Sequence, residues 1–302
     1  MNRRKWAANG MLLLTALIWG VAFVSQRVSM DYVGPFTFLC SRSFLGSLVL
    51  LPLIAVFNTR APDEPPLPGE RRLLLLGGIL CGTALFVASA LQQIGIQYTS
   101  VGKAGFLTAM YIVLIPVFGI FLKKRVTFRT WSAVAVALAG MYFLCLYGSG
   151  FSNINRGDVL ELACAVCFTC HILIIDRFAG RVDGVKMSCI QFFVCGVLSF
   201  FCMMIFETPH WRDILAAWLP ICYAGILSSG VAYTLQILGQ RDTDPTVASL
   251  LMSLESVFSL IAGWIILGQS MTAWELLGCV LIFAAIVWVQ LPEKTRETEV
   301  RN

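Results

Sequence analysis

Charge is what this sequence has least of. Asp, Glu, Lys and Arg make up 13% of its 302 residues, and histidine occurs twice, as His171 and His210. An ordinary soluble domain carries about 25% charged residues. The polar connections are short, the longest being residues 58–72, which leaves no room for a soluble catalytic domain or a large receptor surface. No Gly-rich loop of the GxxxxGK[ST] form is present to cradle phosphates, so ATP does not drive the protein directly. Eleven cysteines sit almost wholly inside apolar stretches, with no paired framework in the connections, which excludes a disulfide scaffold. The run Cys164-x-x-Cys167-x-x-Cys170 has metal-like spacing, but on a continuous helix the three sulfurs fan around the axis and no fourth ligand joins them. The net charge of +5 is scattered among the connections, so nucleic acid is not implied.

What fills the chain instead is apolar: 58% of residues, against roughly 45–50% in soluble domains. Ten runs have the length of bilayer spans: Ala7–Val28, Pro35–Phe57, Leu73–Ile96, Ala104–Leu122, Thr130–Tyr147, Val159–Ile175, Met187–Phe206, Ile214–Leu238, Thr246–Leu267 and Ala273–Leu291. Backbone groups in lipid must bond within their own segment, and runs this long and continuous are helices rather than barrel strands. The first run follows Arg3, Arg4 and Lys5 as a signal peptide would. It has no small-x-small cleavage site and is expected to remain as a helix. The expected fold class is all-α integral membrane.

The sequence says part of itself twice. Leu91-Gln92-x-x-Gly95-x-x-x-Thr99 returns as Leu235-Gln236-x-x-Gly239-x-x-x-Thr243, a constant shift of 144 that also carries Ala88 to Ala232 and Ala104 to Ala248. A repeat near half the chain length predicts a duplicated unit: residues 1–150 and 151–292, followed by a tail at 293–302. With the N-terminus inside, 17 Lys and Arg fall on inner segments against 4 on outer ones, and both termini are expected to be cytoplasmic, in the inner membrane. Five spans per unit is an odd number, so the second copy enters the membrane upside down. Lys123–Arg129 is basic while its counterpart Gly268–Ala273 carries no charge, as inversion requires. Inverted repeats typify secondary transporters, with the substrate site near the midplane between repeats.

At this point the chain resembles the drug/metabolite transporter superfamily, in its ten-helix EamA-type branch. The resemblance rests on Trp19-Gly20, Arg42, Tyr98-Thr99-Ser100 through Phe106-Leu107-Thr108 with Pro116, Leu254-Glu255-Ser256-Val257-Phe258, Leu267-Gly268 and Leu277-Gly278. The family usually has Leu-Glu-Pro where this chain has Leu254-Glu255-Ser256, and Gly-Glu-Arg where it has Gly268-Gln269-Ser270. Membership implies export of amino acids, other metabolites or drugs.

Candidate site residues are the polar and aromatic groups at membrane depth. Glu255 lies about ten residues into the ninth span, where an ionisable group faces a cavity or a partner; it is a candidate for substrate ammonium or proton binding. Gln92 and Gln236 are repeat equivalents that could frame a pathway or simply join helices. Arg42, inside the second span, could hold an anionic group or serve structure. His171, in the sixth span near Asp176, is a candidate proton relay. Trp19, Tyr111 and Tyr233 are mid-span aromatics, of which Trp19 and Tyr233 belong to spans expected to border the repeat interface. Asp158-x-x-Glu161 and Thr272-x-x-Glu275 have capping-box spacing and are expected to start helices. Lys103 is expected to anchor at the interface. Gly78-x-x-x-Gly82 predicts close helix packing, within the chain or across a dimer face.

The reading that emerges is a secondary transporter working by alternating access, with a site between spans 1–4 and 6–9. Its partners are a small-molecule substrate, membrane lipid and, as coupling ion, a proton; it needs no cofactor or metal and is a monomer or homodimer. The competing reading is a polytopic membrane enzyme acting on lipid-linked substrates, which would need clustered acid–base, nucleophilic or metal-binding groups at a membrane surface.

Overall fold

The computed structural model describes residues 3–60, 69–99, 101–121, 126–145, 147, 155–267 and 272–290. The cluster Lys123–Arg125, the uncharged Gly268–Ser270, most of the proline-rich linker and the tail from Glu293 lie outside the described residues, as do the side chains of Lys103 and Glu275.

The described chain is helical, as its apolar runs require. In the first half come α1 (Arg3–Ser29), α2 (Pro35–Arg60), α3 (Glu70–Gly95), α4 (Val101–Thr108), α5 (Tyr111–Phe121) and α6 (Phe128–Cys145). In the second come α7 (Arg156–Phe178), α8 (Gly184–Phe206), α9 (Trp211–Ala216), α10 (Trp218–Cys222), a π-helical segment (Tyr223–Ala232), α11 (Tyr233–Gln240), α12 (Pro245–Met252), α13 (Glu255–Leu267) and α14 (Ala273–Gln290). Among the described residues, eight stretches are long and apolar enough to cross a membrane; α6 and α14 fall where the other two spans are expected and pack on one another.

Polar side chains start these helices where the free N–H groups need partners. Asn155 and Asp158 form a reciprocal capping box on α7, each side chain bonding the other's backbone N–H. Asp183 accepts from Val185 and Lys186 at the start of α8, and Asp244 accepts from Thr246 with Pro245 in the first turn of α12. The helix therefore begins one turn before Asp158, and Glu161 caps nothing. The expected Asp158–Glu161 box is corrected to Asn155–Asp158.

Two of the expected continuous spans are broken, and at the same place. The fourth span stops at Ala109–Met110 and the ninth at Ser253–Leu254, positions related by the shift of 144. Both breaks carry tightened i→i−3 bonds: Met110 to Leu107 and Ile112 to Ala109 in one, Leu254 to Leu251 and Ser256 to Ser253 in the other. In the ninth span Ser249, Ser253 and Ser259 each turn their hydroxyl onto the backbone carbonyl three residues earlier, a competition that bends helices. The eighth span is interrupted too, by the ten-residue π-helical segment ahead of Tyr233.

Packing is reciprocal between the halves. Helix α1 lies against the eighth span (α10, the π segment and α11) and the ninth (α12, α13), while α7 lies against the third (α3) and the fourth (α4, α5). Helices α2 and α8 pair with each other. Close approach depends on small residues. Gly78 and Gly82 of α3 meet Ile190 and Val194 of α8, so this pair packs within the chain. Gly20 of α1 sits directly on the Phe258 backbone of α13. The centre of the bundle, where the broken spans meet α1, α3 and α7, holds the largest core cluster and the polar site.

Candidate functional site

Each broken span restarts with a polar residue aimed at the centre. Tyr111 opens α5, Glu255 opens α13, and the Tyr111 hydroxyl donates to Glu255 Oε1 at 2.8 Å. Glu255 is 3% exposed, and no described Lys or Arg forms a salt bridge with it. An ionised carboxyl at this depth needs a proton or a cation beside it.

Around this pair lies a small cavity of about 30 Å³, room for a couple of water molecules. Six of the seven residues singled out from the sequence line it: Glu255, Gln92, Gln236, Trp19, Tyr233 and Arg42. Trp19 and Tyr233 form one wall, ring centroids 4.5 Å apart. Arg42, fully enclosed, donates to Ser89 Oγ at 3.3 Å and stands over the Phe38 ring. Gln92 donates to Thr108 Oγ1 at 3.2 Å.

His171 does not line the cavity. It stands behind Tyr233, ring centroids 5.9 Å apart, and its Nε2 bonds Gln191 of α8 at 3.1 Å rather than Asp176. Gln93, next to Gln92, turns away and donates to the Gln26 carbonyl of α1.

Several cavity residues keep a buried polar atom with no partner. Trp19 Nε1 and Arg42 Nε are donors; Gln26 Oε1 and Gln236 Oε1 are acceptors. Buried polar groups are nearly always bonded, and each exception asks for an explanation. Four of these atoms, two donors and two acceptors, belong to residues that line the one cavity shared by Arg42 and Glu255.

Tyr111, a mid-span aromatic in the sequence, is not among the residues chosen there for the site, and Thr108 and Gln26 are not singled out at all; all three line the cavity. A signal for Tyr111 was present, because the shift of 144 maps it onto Glu255.

Known proteins extend the picture. The EamA-like transporter family model matches the chain twice, over residues 6–146 and 155–291. An uncharacterized transporter of Archaeoglobus fulgidus is 30% identical over 281 residues, covering 93% of this chain and 84% of that protein. The threonine/homoserine exporter RhtA of Escherichia coli K12 is 26% identical over 280 residues, covering 91% and 88%. RhtA of Salmonella typhimurium LT2 is 25% identical over 248 residues, covering 81% and 78%. A crystal structure with 21% sequence identity superposes with a TM-score of 0.76, covering 94% of this chain and 96% of that one. That likeness bears on the fold.

Proposed function

The chain belongs to the EamA-like transporter family, and from that premise we propose that it exports small zwitterionic amino acids across the cytoplasmic membrane. The observation that carries the substrate class is the pairing of opposite charges on one cavity. Arg42 and Glu255 both face it, and neither neutralises the other. An amino acid completes both. Its carboxylate meets Arg42 and Trp19 Nε1, and its ammonium meets Glu255 with the Gln26 and Gln236 carbonyls. Once the walls part, the aromatic rings of Trp19 and Tyr233 would flank a short side chain. RhtA proteins, named as threonine/homoserine exporters, lend the same direction and substrate class.

The size of the site supports alternating access. At about 30 Å³ the cavity is roughly a tenth of the smallest ordinary ligand pocket, near 300 Å³, so binding and release require the walls to part. The reciprocal packing, the paired breaks and the two matches of one family model support two inverted units, residues 1–150 and 151–292, rocking about this site with both termini cytoplasmic. Helices α6 and α14 complete the ten spans.

Purified protein in liposomes preloaded with unlabelled L-threonine should take up labelled L-threonine and L-homoserine in exchange. A hydrogen bond to a charged group contributes about 1.5–3 kcal/mol. Arg42→Gln should therefore raise KM for threonine about 10- to 150-fold and affect threonine amide, which lacks the carboxylate, far less. Glu255→Gln should weaken both compounds. Failure of the unaltered protein to exchange either amino acid, or variants with unchanged KM, would sink this reading.

A further inference from the structure

One buried carboxyl remains outside this account. Glu161 of α7 is wholly enclosed, and no described Lys or Arg pairs with it. Its Oε2 accepts from Thr108 Oγ1 at 2.9 Å, and its Oε1 has no hydrogen-bond partner. Thr108 in turn accepts from Gln92 at 3.2 Å, and both Thr108 and Gln92 line the central cavity. Gly95 of α3 makes the room: a Cβ there would stand 2.9 Å from Glu161 Oε1.

Structure offers this carboxyl no reward. Capping α7 falls to Asn155 and Asp158. A carboxylate can accept about four hydrogen bonds and this one accepts one. Glutamine would fill the same volume and keep the Thr108 bond without burying an acid.

We propose that Glu161 is the proton-binding carboxyl of the transport cycle, reached from the cavity through the Thr108 hydroxyl. The inference rests on the transporter reading above, and it assigns substrate ammonium to Glu255 and the exchanged proton to Glu161. Thr108 Oγ1 has two lone pairs, and Gln92 occupies one. A cavity water delivers a proton to the other, the hydroxyl passes its own proton to Glu161 Oε2, and the reverse sequence releases it. The route leads from the cavity toward the end of the bundle that holds Gly95, Tyr98 and Gly157, away from the Tyr111–Glu255 pair. Among the described residues, the titratable groups that act on Glu161 are Asp158 and Cys164 of α7 itself. Tyr98, just past α3, lies against Gly157, and of the elements packed on α7, α5 brings Tyr111 and α11 brings Tyr233. Near Glu161, α3 and α4 bring Gln92, Gly95 and Thr108, and α12 has no titratable residue.

The test uses the purified full chain in liposomes and reads protonation and transport separately. Infrared difference spectra between alkaline and mildly acidic pH should show a carboxylic-acid C=O band that disappears in Glu161→Gln and survives in Glu255→Gln. With an internal pH dye, an imposed L-threonine gradient should drive proton flux, lost in Glu161→Gln while threonine exchange without net proton movement continues. Thr108→Val should keep the infrared band but slow the flux. An infrared spectrum unchanged by Glu161→Gln, or full threonine-driven proton flux in that variant, overturns the proposal. If the unaltered protein moves no threonine yet loses the band in Glu161→Gln, the substrate reading fails and the proton-binding assignment stands.

Discussion

Tyr111 and Glu255 are 144 residues apart and hydrogen-bonded at 2.8 Å, so equivalent positions of the two repeats touch across the middle of the molecule. Each is the first residue after a break in its span. The contact joins the first residues of α5 and α13, the two helices that restart the broken spans. The pair should therefore act as a unit in stability. Contacting residues in one network couple by about 0.5–3 kcal/mol. Thermal unfolding of Tyr111→Phe, Glu255→Gln and the double variant in detergent should show non-additivity of that order. Strict additivity would mean that the two groups work independently.

The apolar runs, the shift of 144 and the polar residues at depth were legible because lipid makes each of them exceptional. A glutamate, an arginine or a glutamine in a bilayer span has few innocent explanations, and four such choices, Glu255, Arg42, Gln92 and Gln236, fall on one cavity. What was not legible depends on backbone detail. Glu161 was masked by spacing: Asp158-x-x-Glu161 looks like a capping box, but the box one turn earlier, Asn155 with Asp158, starts the helix. Neither break falls on a proline. One precedes Pro116 by a turn, and the other is built from serine hydroxyls that bond backwards. The π segment before Tyr233 left no mark in composition, only Gly225 and Gly230 packed against α2.

Gly20 sets the distance between α1 and α13. A Cβ at this position would stand 2.4 Å from Phe258 Cβ and 2.8 Å from the Phe258 carbonyl carbon. Backbone cannot swing aside as a side chain can, so Gly20→Ala must push the helices apart. Overpacking of this kind costs about 1–3 kcal/mol. Because Trp19 is the neighbouring residue, the shift should also weaken threonine affinity. Gly10, with nothing within 4 Å of a built Cβ, is the control: Gly10→Ala should leave affinity unchanged and hold or slightly raise the melting temperature, since alanine favours a helix interior over glycine.

Glu207 joins the halves at the end opposite the N-terminus. Its Oε1 accepts from the Phe36 N–H at 2.8 Å, and its Oε2 accepts from the Thr37 N–H at 2.8 Å and from Thr37 Oγ1 at 2.6 Å. A residue from the end of α8 thus supplies the N-terminal cap of α2, with charge matched to the helix dipole. Glu207→Ala should lower stability by about 0.5–2 kcal/mol, the usual cost of a lost cap. Glu207→Gln, which keeps an acceptor but no charge, should lie between the two. A thermal melt of the three proteins at low salt reads the order.

Ser256 replaces the proline expected of the family, yet the break beside Glu255 is present. Its N–H reaches Ser253 O at 3.1 Å, an i→i−3 bond, and its hydroxyl donates to Gly105 O at 3.2 Å. The position is the second of α13, within the first turn, where a helix does not need the N–H and proline is tolerated. Ser256→Pro should therefore cost no more than about 1 kcal/mol, the net worth of a modest hydrogen bond, and should retain threonine exchange. Leu260→Pro places the same ring in the interior of α13, where it removes a ladder bond and clashes with the preceding turn, at about 3 kcal/mol or more. Melting temperature and yield of folded protein should separate the two variants clearly. If they prove equally damaging, the helix is not already broken where Glu255 begins it, and the break described in the ninth span is wrong.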